Sequence, residues 1–146
     1  MNSITMDDVP VVRMSGRFDD YQRIAARSAI YPGQGTTVGL WYCLTKLNGE
    51  AGEAAEHIGK AFRDDGALFP LPVHVTDDEL VTGFLPRPLT NSRREAIIKE
   101  LGGVLWYVSA AANELGLGLD EIAVTNLTKL ASRTERGQLR GSGDDR

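Results

Sequence analysis

A chain of 146 residues is long enough for one domain with a proper core, and 42% apolar with 25% charged residues is the balance of an ordinary soluble protein. Net charge −4, with a pI near 5.2, argues against a surface that coats nucleic acid. The single cysteine, Cys43, excludes an internal disulfide and a zinc site built mainly from cysteines, and no apolar run approaches the roughly 20 residues of a membrane span.

Residues 1–15 read as an irregular lead-in, and Asp7 and Asp8 do not fit the basic-then-apolar layout of a signal peptide, so a cytoplasmic protein is expected. A first helix is predicted from Arg17 to about Ile30, with Phe18, Tyr21, Ile24, Ala25 and Ala29 as its apolar stripe. Tyr31-Pro32-Gly33-Gln34-Gly35 ends it. Thr36 or Thr37 then caps a long second helix to about Arg63, with Leu40, Leu44, Leu47, Ala51, Ala54, Ile58 and Phe62 spaced three or four apart. Cys43 lies in the run Leu40-Trp41-Tyr42-Cys43-Leu44 and reads as a buried, inert thiol.

Residues 67–89 hold Pro70, Pro72, Pro86 and Pro88 and lack a helical period. They are expected to form a loop, with room for a short strand pair around Val73–Val75 and Leu80–Phe84; connections this long are usually functional or mobile. A third helix opens at Thr90 or Asn91 and runs to about Leu115, with Ile97, Leu101, Val104, Leu105, Val108, Ala112 and Leu115 inward. Gly116-Leu117-Gly118 turns the chain into a fourth helix. Its first turn holds Asp120 and Glu121, at the positive end of the dipole, and it ends near Arg133. Residues 137–146 form a glycine-rich polar tail. The expectation is one all-α domain, a bundle of about four helices.

The chemistry is expected on the second and third helices. Glu50 and Glu53 are three apart, roughly 60° around the axis, so both reach one point. Lys46, His57 and Lys60 extend that polar stripe, while Glu100, Gly103 and Tyr107 share a face of the third helix. Antiparallel packing would bring Glu50 and Glu53 near Glu100. Carboxylates so gathered repel each other unless a cation sits among them, which points to magnesium, with manganese as the alternative, and to an anionic substrate. Gly49, Gly52, Gly102 and Gly103 flank the acids. Each mid-helix glycine costs about 1 kcal/mol against alanine, so a close backbone or ligand approach is expected there.

The stretches GEAGEAAEHIGKAFRDDG and KELGGVLWYVSAAANELGLGLDEIAVTNLTKLASRTERG resemble the MazG-like all-α nucleoside triphosphate pyrophosphohydrolases, over about residues 36–66 and 94–146. The acid pairs, the VLWYV stretch, Asn-x-x-Lys and the GSGD tail occur in the family's order. The resemblance implies magnesium-dependent cleavage of a nucleoside or deoxynucleoside triphosphate between its α and β phosphates. Carried over, Glu50, Glu53 and Glu100 would be metal ligands, and Glu53 would orient or deprotonate the water. Tyr107, Asn126, Lys129 and Arg133 would contact the nucleotide, and Lys60 and Arg63 would neutralise phosphate charge. Family members assemble as dimers or tetramers, so a homodimer or homotetramer is expected; Trp41 and Tyr42 suit either that interface or a base pocket.

One position departs from the pattern. Gly103 stands where the family carries aspartate, so one ligand is missing and water, His57 or Glu56 would have to replace it. That leaves a low-activity hydrolase beside a non-catalytic nucleotide sensor of the same fold. A di-iron carboxylate bundle is set aside because neither His57 nor His74 follows a glutamate by three. A purely structural helical adaptor would leave the glycine-flanked acids unexplained.

Overall fold

The computed structural model describes residues 18–76 and 79–137, with backbone alone over 68–86; the lead-in and nearly all of the polar tail lie outside the described residues. Its elements in chain order are α1 (Phe18–Ala25), a 3-10 turn (Ala26–Ser28), α2 (Thr37–Arg63), β1 (Leu68–Thr76), β2 (Glu79–Pro86), α3 (Asn91–Glu114) and α4 (Leu119–Glu135).

The helix starts follow from capping. Thr36 turns its hydroxyl to the amide of Val38 at the head of α2, and Thr90 does the same for the amide of Arg93 at the head of α3. The first helix is shorter than its apolar stripe suggests, because the chain tightens after Ala25 and Ser28 bonds back to the carbonyl of Ala25.

The helical frame carries one addition. Residues 67–89, expected as a loop around a short strand pair, form an antiparallel hairpin over most of their length, pairing Leu68 with Pro86 and Val73 with Val81. Its prolines are compatible with pairing because both strands of a two-stranded ribbon are edges. Pro70 and Pro72 alternate, so both can occupy the row that turns its backbone nitrogen away from the partner.

Helices α2 and α3 pack antiparallel and make the largest helix–helix contact of the fold. The core between them is built from small side chains: Cys43, Ala110 and Ala111 form its cluster, with Ala61 and Ala112 also fully buried. Small residues let two backbones approach closely, and that approach places side chains from one helix directly against the other's main chain. Cys43 is buried as expected, and burial pushes its thiol pKa up.

Helix α1 is fastened by polar groups. Buried Gln22 donates to Asn113 Oδ1 (2.7 Å) and to the carbonyl of Leu117 (2.9 Å), and accepts from the amide of Leu119 (2.7 Å). Asp120 accepts from the amide of Phe18, and Asp19 accepts from the amide of Asp120, both at 2.9 Å, so each helix start caps the other.

The apolar stripes are only partly covered. Leu44, Phe62, Leu101 and Leu115, expected to face inward, remain about half exposed, because no second layer lies over the outer faces of α2 and α3 among the described residues.

Candidate functional site

Two neighbouring features occupy one side of the α2–α3 pair. The first is the acid site. Half-buried Glu50 of α2 lies directly on Gly103 of α3, so that a Cβ built there would collide with the glutamate's carboxylate. One turn earlier on α3, Glu100 faces His57 of α2, with Nε2 and Oε1 3.7 Å apart. The antiparallel packing thus puts Glu50 beside position 103 and His57 beside Glu100. Glu53 is exposed on the same helix.

Of the flanking glycines, only Gly103 is closely approached by another part of the chain. Gly49, Gly52 and Gly102 face open space, with nothing within 4 Å of a would-be Cβ.

His57 has a defined role in this geometry. Arg93 Nη1 approaches His57 Nδ1 at 3.4 Å, and a guanidinium can only donate. Nδ1 is therefore the acceptor, and in the neutral ring the proton sits on Nε2, turned towards Glu100. The imidazole is thereby turned to Glu100, 3.7 Å away. Arg93 is itself gripped by Asp65 through two bonds, of 2.9 and 3.1 Å, tying the end of α2 to the start of α3. Neither Arg93 nor Asp65 is marked by the glutamate spacing; their signal is visible only once the helices are paired.

Oxygen donors from Glu50 and Glu100, with Glu53 one turn away, suit a hard divalent cation in kind. They are not gathered as they stand: among the described residues, no group of three or more His, Cys, Asp or Glu side chains is assembled to hold a metal. Glu56 is exposed and bonded to Lys60 at 2.8 Å.

The second feature is an aromatic cavity of about 290 Å³ that begins where Gly103 ends. Ser28, Tyr31, Tyr42, Trp106 and Tyr107 line it along with Gly103. Tyr31 and Tyr42 lie parallel, 5.8 Å between ring centres and 7° between planes. Trp106 stands edge-on to Tyr31 and to Tyr107, and its indole N–H donates to Ser28 Oγ at 2.9 Å. Burial, with Tyr42 and Glu50 adding to it, raises the Tyr107 pKa and keeps its phenol protonated. The pair Trp41–Tyr42 is divided: Tyr42 faces the cavity, whereas Trp41 is 65% exposed on the outside.

The remaining expected ligands lie elsewhere. Arg63 is bonded to its neighbour Asp64, which raises its pKa, and Lys60 is held by Glu56. On α4, Asn126 and Lys129 line a separate cavity with Leu117 and Ile122, and Arg133 is buried near the end of the helix. Within this chain these three do not meet the acid site.

The family model described as the MazG nucleotide pyrophosphohydrolase domain matches residues 42–137, spanning both acid-bearing helices, the hairpin and α4. The chain belongs to that family. The Gene 37 protein of Mycobacterium phage L5 is 39% identical to it over 132 residues, which cover 88% of this chain and 97% of that protein. No solved structure matches. The MazG match takes in Tyr42, Glu50, Glu53, Glu100, Gly103 and Tyr107 together. Tyr31 and Ser28, on the cavity's opposite wall, lie before it.

Proposed function

We propose that this MazG-family chain hydrolyses nucleoside or deoxynucleoside triphosphates to the monophosphate and pyrophosphate. The observation that carries the reading is Glu50 lying across Gly103, one turn from Glu100, at the mouth of an aromatic cavity. Carboxylates next to an aromatic-lined cavity are what a polyphosphate with a planar group at one end requires. Glu50, Glu53 and Glu100 would hold a magnesium or manganese ion, whose charge offsets that building up on the phosphate oxygens. Glu53, standing in solvent, orients the attacking water and accepts its proton. The oxygen adds to the α-phosphorus, the bond to the bridging oxygen breaks, and pyrophosphate leaves. His57 keeps Glu100 turned towards the site.

A second reading is favoured by one observation, the glycine at 103. With one carboxylate fewer, the same pocket serves as a non-catalytic nucleotide sensor. Pyrophosphate release over a nucleotide panel, at limiting magnesium, separates the two when this chain and Gly103→Asp are run together. The hydrolase reading expects release from both. An aspartate at 103 adds a ligand but its Cβ displaces the Glu50 carboxylate, so the gain, on the order of 10²-fold, requires Glu50 to re-seat on the same cation. Thermal stabilisation by nucleotides without any product from this chain would favour the sensor.

The reading includes self-association as a homodimer or homotetramer. It is supported by the uncovered apolar side chains of Trp41 and Leu44 on α2 and Leu101 on α3, which are 65%, 52% and 54% exposed. Sedimentation of the full chain is expected to give a dimer or tetramer; a monomer at micromolar concentration would overturn it.

A further inference from the structure

Glu114 lies at the last turn of α3, about two turns beyond Tyr107, and has no part in the acid site. Its two carboxylate oxygens are both engaged. Oε1 accepts from the hydroxyl of Tyr31 at 2.6 Å, and Oε2 accepts from the backbone amide of Gly35 at 2.8 Å. These bonds fasten the two ends of the Tyr31–Gly35 turn to α3. The turn is closed from the other side as well, since the carbonyl of Gly33 accepts from the amides of Thr36 and Gly39 at 3.1 and 3.0 Å. Gly39 permits this: a Cβ there would stand 2.5 Å from that carbonyl and 2.8 Å from Glu114 Oε2.

A tyrosine fixed at its hydroxyl end cannot rotate its ring away from Tyr42 and Trp106. The wall opposite Tyr107 is therefore set before any ligand arrives, and a slot that need not form on binding loses less entropy in doing so. The cavity it bounds, about 290 Å³, is lined by aromatic side chains, and aromatic faces hold planar heterocycles by stacking.

We infer that Glu114 is a positioning residue for a nucleobase-class ligand, acting through Tyr31 on the aromatic slot beside Gly103. The inference rests on the nucleotide reading above and adds to it which residues set the base wall. Glu114 touches no ligand; Tyr31 does.

The test compares binding of a nucleoside monophosphate with that of ribose 5-phosphate, which lacks the base, by equilibrium dialysis on the full chain. Tyr31→Phe keeps the ring and removes only the hydroxyl, so it perturbs the latch without emptying the wall. Tyr31→Phe and Glu114→Gln are each expected to weaken the nucleoside monophosphate about tenfold, with ribose 5-phosphate unchanged. The double variant is expected to lose no more than Glu114→Gln alone, because Tyr31 acts through its bond to Glu114, whereas Glu114 also holds the Gly35 amide. Equal losses for both ligands would overturn the inference in favour of a merely structural latch, and so would an undiminished preference for the base in both variants. If the unmodified chain shows no preference for the base at all, the nucleotide reading itself falls, a result distinguishable from the other two.

Discussion

The α2–α3 pair holds two half-buried glutamates in opposite circumstances. At one end, Glu114 has both oxygens bonded, and a glycine opposite it makes room for a closed turn. In the middle, Glu50 also lies over a glycine, yet no hydrogen bond among the described residues holds its carboxylate. The same device, an acid packed on a position without a side chain, therefore has two uses. A carboxylate whose lone pairs are filled is structure; one that is partly removed from water with its lone pairs open is available to a ligand.

The comparison can be broken by adding one methyl group at each glycine. Gly39→Ala forces a Cβ against a backbone carbonyl that is itself pinned by two amides, so neither side can yield cheaply. Overpacking of this kind costs about 1–3 kcal/mol, read as a fall of several degrees in Tm for a chain of this size. Gly103→Ala meets only the Glu50 side chain, from its carboxylate back to Cγ at 3.1 Å, and that flexible chain can swing into solvent. Alanine gains up to about 1 kcal/mol over glycine inside a helix, so stability is expected to hold or rise. Equal losses at the two positions, in paired thermal melts, would erase the distinction between the closed end and the open middle.

Much of this was legible in the chain itself. The three-and-four spacing and the caps at Thr36 and Thr90 specify the long helices, because burial period and capping chemistry are local. Antiparallel packing of those helices was expected to bring Glu50 and Glu53 near Glu100; the register instead sets Glu50 on Gly103 and His57 beside Glu100. The hairpin was only partly legible, since four prolines read as loop until the strands are known to be edges. The Glu114–Tyr31 latch was not legible: its partners are 83 residues apart, and neither carries a motif that points to the other. Nor does sequence order show that α4 turns Asn126 and Lys129 to a different cavity. That placement depends on how α1 and the Gly116–Gly118 turn set the helix, through Gln22 and the paired aspartates, which form one network of mutually dependent bonds.

The smallest expected effect concerns the link that steadies the acid site from its far end. Hydrogen bonds from Arg93 hold the Asp65 carboxyl below its ordinary value of 3.8; desolvation opposes them, and the Arg93 charge adds a smaller lowering. A depressed acid pKa means that the folded state favours the ionised form more than the unfolded chain does. The contribution is therefore full above 3.8 and is lost as pH falls through the lower folded value. Asp65→Asn is expected to melt slightly below the unmodified chain near neutrality, with the two melting curves converging in acid. The same substitution frees Arg93 from one partner and loosens its hold on His57, so any loss of turnover should follow the pH range of the stability difference. A gap in Tm that stays constant into strong acid would show that Asp65 acts through packing and not through its charge.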